Sequence, residues 1–373
     1  MYGGPIGESA PGRPLLSTPA SPLPSPATSS QLADLADEHA TLDADAADRG
    51  RQLRRGIAGL AILGVLIIGL LAAVPSLHGI ADQMRDASVP WVAAAIVLEI
   101  LSCVGFILAF QLVFARAPLR FAARLALAEM GFGAAVSVGG VGGAALGVWI
   151  LRTRGVSAKR AVERSATLFL LTSAVNVIVL TVFAVGLAVG LLSGPSDPLL
   201  SVIPAGVGVG VLCFFLALPR WAARAAHRRD DSGKLAKTLL GLAETITATK
   251  GILLNPNWRL AGAFAYLLCD IGVMWACFHA LGHPPPFAGI VLAYQIGYLA
   301  NIIPVPGGIG VLDGGLVGML TLYGTSATTA TAVVLIYHAI ALWIPALWGT
   351  LAYSLLRRSI SQPLVPRDAP GGS

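Results

Sequence analysis

Five ionisable side chains lie inside long apolar stretches of this sequence: Glu99, Glu129, Asp270, Asp313 and His338. Placing a charged side chain at the centre of a membrane helix costs about 2.5–3.5 kcal/mol on insertion scales, so such groups mark functional pathways by default. They are suited to proton exchange or to the recognition of a charged headgroup. The sequence contains no Ser–His–Asp set, no HExxH motif and no metal-ligand spacing of Cys and His. We therefore expect neither an enzyme nor a metal or cofactor site.

Asp313 is the strongest candidate, because it follows a break in the apolar stretch Gln295–Gly324. Two prolines and three glycines within seven residues prevent a continuous helix there. These residues are Pro304, Pro306, Gly307, Gly308 and Gly310. Unsatisfied backbone in lipid costs several kcal/mol per group, so the break must be buried in protein or line a wet cavity. We predict a re-entrant helix–loop–helix, in which Asp313 either serves transport or caps the second helix.

His338 is predicted to lie in the middle of a spanning helix, where it could pair with Asp313, contact a lipid phosphate or make an ordinary interhelical hydrogen bond. Glu129 and Gln295 occupy nearly equivalent places in two similar segments, so we expect them to line a shared cavity. Glu99 and Asp270 have no such support from the sequence. The complete predicted transport path is Asp313, His338, Glu129, Gln295, Asn301, Pro304, Pro306, Gly307, Gly308, Gly310, Gly139 and Gly140.

The composition identifies the class of protein that must position these groups. The chain has 373 residues, of which 55% are hydrophobic and 12% charged, with a mean hydropathy of +0.76. A soluble domain carries about 25% charged residues, so this is a multi-pass membrane protein. We predict an all-α polytopic bundle at residues 51–357, between disordered cytoplasmic tails at 1–50 and 358–373. Six runs are long enough to span: Gly56–Leu77, Val89–Phe114, Ser165–Leu192, Leu199–Leu218, Leu260–Leu281 and Ala330–Leu356.

The basic residues predict how the chain is threaded. If the two interrupted segments, Phe121–Leu151 and Phe287–Tyr323, are re-entrant hairpins, 24 of the 25 Lys and Arg residues fall on one side. Only Arg85 then lies opposite. If the first segment crossed the membrane instead, the cluster from Arg152 to Arg164 would lie outside, against the positive-inside bias. We therefore place both termini in the cytoplasm.

The two interrupted segments also resemble each other, with repeat cores at about 121–164 and 287–330. Gly139-Gly-Val-Gly aligns with Gly307-Gly-Ile-Gly at an offset of 168 residues. Three predicted spans separate the copies, so the second copy is inverted relative to the first. Broken helices at matching positions of an inverted repeat are typical of the midplane site of a transporter.

Two further segments carry charge or amphipathic character. Arg152 and Arg154 end the first hairpin, where they either set the topology or capture anionic headgroups at the cytoplasmic mouth. In Ser232–Leu254, a helical face of Leu235, Leu239, Leu242 and Ile246 predicts either an interfacial helix or a helix packed on the bundle.

Three stretches resemble a known family: GGVGGAALGVWILRTRGVSAKRAV, IPVPGGIGVLDGGLVGMLTLYGTS and IYHAIALWIP. The resemblance is to the transmembrane, flippase-like region of lysylphosphatidylglycerol synthases, and it covers roughly residues 55–357. It implies transbilayer movement of a lipid, with aminoacylated phosphatidylglycerol as the best-known cargo. Members often have Glu where this chain has Asp313, and Arg where it has His338. The soluble aminoacyl-transferase domain of two-domain members is not part of this sequence.

The sequence thus predicts a flippase-like transporter of a phospholipid or a lipid-linked envelope precursor in the cytoplasmic membrane. The alternative is a non-transporting membrane partner or scaffold of an envelope-lipid enzyme. A third hypothesis, a small-solute exporter, would be favoured by a closed-sided cavity. The expected partners are membrane lipids, anionic or aminoacylated, and no nucleic acid, because the basic residues sit at the ends of apolar runs.

Overall fold

The structure is a computed structural model that describes residues 47–59, 61–62, 65, 78–136, 141–195, 197–228, 234–255, 257–282, 284–299 and 311–360. In these residues the regular secondary structure is helical, without strands. The helices are α1 (47–59), α2 (His78–Arg85), α3 (Val89–Val113), α4 (Leu119–Val136), α5 (Val141–Thr153), α6 (Ala158–Ala188), α7 (Leu199–Arg228), α8 (Lys234–Leu254), α9 (Leu260–Ala280), α10 (Phe287–Gly297), α11 (Val311–Leu322) and α12 (Ala327–Ile360).

Five of the described helices are long and apolar enough to cross a membrane. They are Val89–Val113, Ala158–Ala188, Leu199–Trp221, Leu260–Ala280 and Ala327–Arg358. Each corresponds to a run predicted from the sequence, which confirms the all-helical polytopic bundle. The remaining predicted span, Gly56–Leu77, lies mostly outside the described residues, as does nearly all of the predicted N-terminal tail. The described part of α1 starts at residue 47, so it includes the last four residues of that predicted tail.

Each interrupted segment forms a pair of antiparallel helices. In the first pair, Glu129 of α4 lies against Gly143 and Gly147 of α5. In the second pair, Gly297 of α10 lies against Gly315 and Leu316 of α11, and Gly289 faces Tyr323. Positions 297 and 315 lie 168 residues after 129 and 147, the same offset as that between the two glycine clusters.

The helices of the second pair are too short to cross a bilayer. Helices α10 and α11 contain 11 and 12 residues, which correspond to about 17 and 18 Å at 1.5 Å per residue. A transmembrane helix needs about 20 residues. The connections of both pairs, including the predicted site residues Gly139, Gly140, Asn301, Pro304, Pro306, Gly307, Gly308 and Gly310, lie outside the described residues.

The two hairpins enter the bundle from opposite ends of α12. Helix α4 runs antiparallel to α12, since Gly131 meets Pro345 while Leu127 meets Gly349. The open end of the first hairpin therefore lies with the C-terminal end of α12. The second hairpin is joined to the start of α12 by the short connection 323–326. Its open end also contacts the start of α7, where the Tyr323 hydroxyl donates to the Leu200 carbonyl at 2.7 Å.

Glycines allow the central helices to approach closely. A Cβ atom at Gly105 of α3 would lie 2.5 Å from the Tyr266 nitrogen and 2.7 Å from the Gly262 carbonyl of α9. A Cβ atom at Gly131 of α4 would lie 2.6 Å from the Cα atom of Gly349 in α12. Small residues at helix contacts are the usual means of close packing in lipid, where the hydrophobic effect does not drive helix association. These contacts fix the rotation and the register of α3, α4, α9 and α12.

Helix α8 packs on the bundle, against α6 and α7. This packing agrees with the predicted alternative in which Ser232–Leu254 forms a helix packed on the bundle. The described residues of the predicted apolar face differ in burial, since Leu242 is 41% exposed while Ile246 is buried together with Ala243 and Thr249. The buried face is rotated by about one residue, so that small residues meet the neighbouring helices. The side chains of Leu235 and Leu239 lie outside the described part of the chain.

Candidate functional site

The predicted pair of Asp313 and His338 is present in the structure. Asp313 lies in the first turn of α11, just beyond the predicted break, where a negative charge interacts favourably with the helix dipole. Its Oδ1 atom contacts the Nδ1 atom of His338 on α12. The Asp313 and His338 side chains are only 20% and 13% exposed. The contact links the inner end of the second hairpin to the middle of the long helix α12.

A second carboxylate, Asp270 of α9, accepts hydrogen bonds from two tyrosines. The Tyr294 hydroxyl of α10 donates to its Oδ2 atom, and the Tyr337 hydroxyl of α12 donates to its Oδ1 atom at 3.1 Å. The ring of Tyr298 stacks on that of Tyr294, with the centroids 5.0 Å apart. Because Tyr337 directly precedes His338, one turn of α12 contacts both carboxylates.

Glu99 of α3 faces the same region. It is 3% exposed, and its Oε1 atom accepts a weak hydrogen bond from the Cys103 thiol at 3.8 Å. The Oε2 atom is buried without a hydrogen-bond partner in the described part of the chain. The close packing of α3 on α9 sets this position, since the Ser102 hydroxyl also donates to the Tyr266 carbonyl at 2.9 Å.

Glu129 of α4 owes its position to the glycines of α5. A Cβ atom at Gly147 would overlap its carboxyl group, and one at Gly143 would overlap its backbone carbonyl. Glu129 is 6% exposed, and its Oε1 atom is buried without a partner among the described residues. The glycine cluster of the first hairpin therefore makes room for an acid inside the bundle.

Most of these groups line one cavity of about 340 Å³ between the inner ends of the two hairpins, and Asp313 and Tyr294 contact lining residues from behind. The first hairpin contributes Glu129, Gly133 and Gly143, and the second contributes Tyr298 and Leu312. Other described polar residues in its wall are Glu99, Ser102, Ser165, Thr172, Tyr266, Asp270, Tyr337 and His338. Among the described lining residues there are three acids and one histidine, but no Lys or Arg.

The cavity wall is apolar between the polar groups. Phe106, Leu168, Phe169 and Leu342 contribute to it. Phe169 of α6 is 68% exposed, which is far more than a small enclosed cavity could give. The cavity therefore reaches the outer surface of the bundle beside α6. A wall of this kind can hold a polar headgroup while an apolar chain remains at the lipid-facing surface.

One known protein family matches most of the chain. The family described as the lysylphosphatidylglycerol synthase TM region matches residues 57–349 of the chain. The chain belongs to this family. The matched region includes both hairpins and every described residue of the cavity, so the site lies within the part that is common to the family.

A curated relative is a UPF0104 membrane protein of Methanothermobacter thermautotrophicus. It is 30% identical to this chain over 84 residues, which is 22% of the chain and 24% of the relative. The match thus spans about a quarter of the relative. It is consistent with membership of the lysylphosphatidylglycerol synthase TM family and adds no activity to it.

The remaining predicted residues have other surroundings. The Gln295 amide donates to the Asn176 carbonyl of α6 at 3.1 Å, and Gln295 is not among the residues that line the cavity. Arg152 and Arg154 lie at the outer end of the first hairpin, where the Arg154 guanidinium lies 5.5 Å from the ring centroid of Phe121. The structure places Glu129 and His338 in the cavity wall and Asp313 against His338, whereas Arg152 and Arg154 are not among the lining residues.

The transport path predicted from the sequence does not include Glu99, Asp270, Tyr294 or Tyr337. The two acids were functional hypotheses because ionisable groups are costly inside apolar helices, but no further feature of the sequence supported them. The two tyrosines are recognisable by their positions in the sequence, since each directly precedes a predicted site residue, Gln295 or His338. A tyrosine in an apolar helix needs a partner for its hydroxyl group, and a buried acid on a neighbouring helix is a natural acceptor.

Proposed function

We propose that this chain is a flippase-like lipid transporter of the cytoplasmic membrane. The observation that carries the proposal is the convergence of two oppositely oriented hairpins on one polar cavity. Transporters built from inverted repeats place their substrate site near the bilayer midplane, where broken helices from the two halves meet. The family membership supports the same class of function without naming a cargo.

In this proposal the hairpins are re-entrant, and each half closes one side of the membrane in turn. The basic residues at the ends of α1, α5 and α12 cluster where the first hairpin enters. By the positive-inside rule that end is cytoplasmic, as are both termini. The second hairpin then enters from the outside. Rocking of one hairpin against the other would open the cavity to alternate leaflets.

The cavity lining supports a headgroup as the cargo. A charged headgroup that crosses hydrocarbon loses its hydration, and polar side chains in the cavity can replace part of it. The described lining contains three acids and no Lys or Arg, which favours a headgroup that carries an amino group or hydroxyl groups. Aminoacylated phosphatidylglycerol and hydroxyl-rich lipid-linked precursors both fit this description. The exposed wall at Phe169 provides a lateral route for the acyl chains and argues against a closed-sided solute path.

Reconstitution of the purified chain tests this function. Liposomes would contain fluorescent phosphatidylglycerol or its lysyl form, with and without a pH gradient, and a reductant that does not cross the membrane would report the exposed fraction. We expect protein-dependent movement of at least one of the two lipids. If neither moves under any gradient, while activity appears only with a co-purifying enzyme, the chain is a membrane partner rather than a transporter.

A further inference from the structure

A strongly basic cleft lies at the end of the bundle, away from the central cavity. It has a volume of about 730 Å³ and is formed by α1 and the last turns of α12. Four arginines line it, two from each helix: Arg51, Arg54, Arg357 and Arg358. Helix α1 is held there by the buried Leu53 and by Gly50, whose Cβ position is 3.7 Å from the ring of Tyr353.

Among the described residues, one carboxylate forms an ion pair with an arginine of this cleft. Asp48 forms an ion pair with Arg51 at 3.1 Å. In the described part of the chain, no ion pair joins Arg54, Arg357 or Arg358 to a carboxylate. Like charges held close together repel each other, so the arrangement favours a bound anion. Guanidinium groups match the geometry of a phosphate, to which they can donate two parallel hydrogen bonds.

An apolar stripe on α12 leads into the cleft. One face of the helix carries four residues at intervals of four, three and four positions: Leu347, Leu351, Ser354 and Arg358. Leu347 and Leu351 are 56% and 63% exposed, so this apolar face is directed away from the protein. Ser354 and Arg358 line the cleft. Leu351 lies about 10 Å along the helix from Arg358, a distance that an acyl chain covers easily.

We propose that this arginine cleft binds the phosphate group of an anionic phospholipid, whose acyl chains lie along Leu347 and Leu351. The site holds the lipid against α1 and α12 and is separate from the central cavity. The apolar stripe favours a lipid over free phosphate, because only a lipid uses both halves of the site. Basic pockets between membrane helices on the cytoplasmic side are a common way of holding anionic headgroups.

The site can be tested without any transport assay. The full chain in nanodiscs of mixed phosphatidylglycerol and phosphatidylcholine would be released for native mass spectrometry, and the retained lipids counted and titrated. We expect preferential retention of phosphatidylglycerol. Arg54→Gln with Arg358→Gln should weaken its binding about 30-fold, and either change alone about 5-fold. The matched control is Arg116→Gln with Arg120→Gln, which removes two exposed arginines beside α4 and should leave binding unchanged.

Each other outcome would overturn the proposal. An equal loss in the control pair would show that net charge, and not the cleft, attracts the lipid. Displacement of phosphatidylglycerol by millimolar inorganic phosphate would identify free phosphate as the ligand.

Discussion

Asp313 and His338 contact each other across the junction between the second hairpin and α12, and His338 lies in the wall of the central cavity. The residue before His338, Tyr337, donates to a different carboxylate, Asp270. One turn of α12 is thus connected to α11 and to α9. In the proposed transporter, a movement of the second hairpin relative to α12 would change the contact between Asp313 and His338, so this turn would couple hairpin movement to cargo binding.

The first prediction concerns this pair. Asp313→Ala should abolish lipid transport while the protein still inserts and folds. Asp313→Asn should reduce transport about tenfold, the equivalent of about 1.4 kcal/mol. The control is Thr321→Val on the same helix, because the Thr321 hydroxyl only donates to Val317 of its own helix. Normal transport by Asp313→Ala in the liposome assay would remove Asp313 from the path.

A double-mutant cycle separates a functional pair from a structural one. Interhelical hydrogen bonds in membranes contribute about 0.6 kcal/mol on average and up to about 1.7 kcal/mol. We expect Asp313→Asn, His338→Gln and the double variant to lower the melting temperature by similar, small amounts. The transport rate of the double variant should equal that of the more impaired single variant, because the two residues act as one unit. Independent, additive losses of transport would show that the two residues do not act together.

The second prediction concerns the space that α5 leaves for Glu129. Gly147→Ala places a methyl group where the Glu129 carboxyl lies, so the acid must move out of its position. We expect strongly reduced transport with a stability loss of about 1–3 kcal/mol, as is usual for overpacking. Gly318→Ala on α11 is the matched control, since its new methyl group meets no atom within 4 Å. The control should be neutral or slightly stabilised, because Ala is the better helix former.

The third prediction concerns the seam between α4 and α12. Gly131→Ala would bring a methyl group to 2.6 Å from the backbone of Gly349, and neither backbone can give way cheaply. The expected loss of stability is about 3 kcal/mol or more, at the upper end for overpacking. Thermal unfolding in detergent measures it, with Gly210→Ala on α7 as a control that meets no atom within 4 Å. An unchanged melting temperature for Gly131→Ala would contradict the described approach of α4 to α12.

The fourth prediction concerns the tyrosines that bind Asp270. Tyr337→Phe keeps the ring and removes one hydrogen bond to a buried carboxylate, which should cost about 1–3 kcal/mol of stability. Tyr294→Phe should have a similar effect, and the two losses should not add, because both act on Asp270. Tyr323→Phe is the matched control, since it removes a tyrosine hydrogen bond to the Leu200 carbonyl and does not involve Asp270. Additive losses in thermal unfolding would show that the two tyrosines do not share this acceptor.

Features within a single segment were predictable, because they depend on residue types at short spacing. The proline and glycine break after Gln295 indicated a short second helix with Asp313 in its first turn. The distribution of arginines predicts that the first hairpin returns to its own side of the membrane, and this stays a prediction. The pairing of Asp313 with His338 could be proposed because both were costly groups with few alternative partners.

Contacts that join three or more helices were not predictable in the same way. Asp270 meets Tyr294 and Tyr337 only because α9, α10 and α12 have a particular rotation and axial register. Backbone approaches such as that of Gly131 to Gly349 set this register, and the partner of a glycine cannot be inferred from the glycine alone. The equivalence of Glu129 and Gln295 was inferred from local similarity. Their surroundings differ, because Gly147 leaves space for one and Asn176 binds the other.

The most direct test of the account is the sidedness of the two hairpins. In a background with the four native cysteines replaced by alanine, single cysteines would be introduced at four exposed or half-exposed positions that flank the hairpins: Ala115, Ser157, Pro284 and Thr325. A maleimide that does not cross the membrane would label intact cells and inside-out vesicles. We predict that positions 115 and 157 react only from the cytoplasmic side and that positions 284 and 325 react only from the outside. Labelling of 115 and 157, or of 284 and 325, from opposite sides would show that the corresponding hairpin crosses the membrane, and would contradict the inverted re-entrant arrangement.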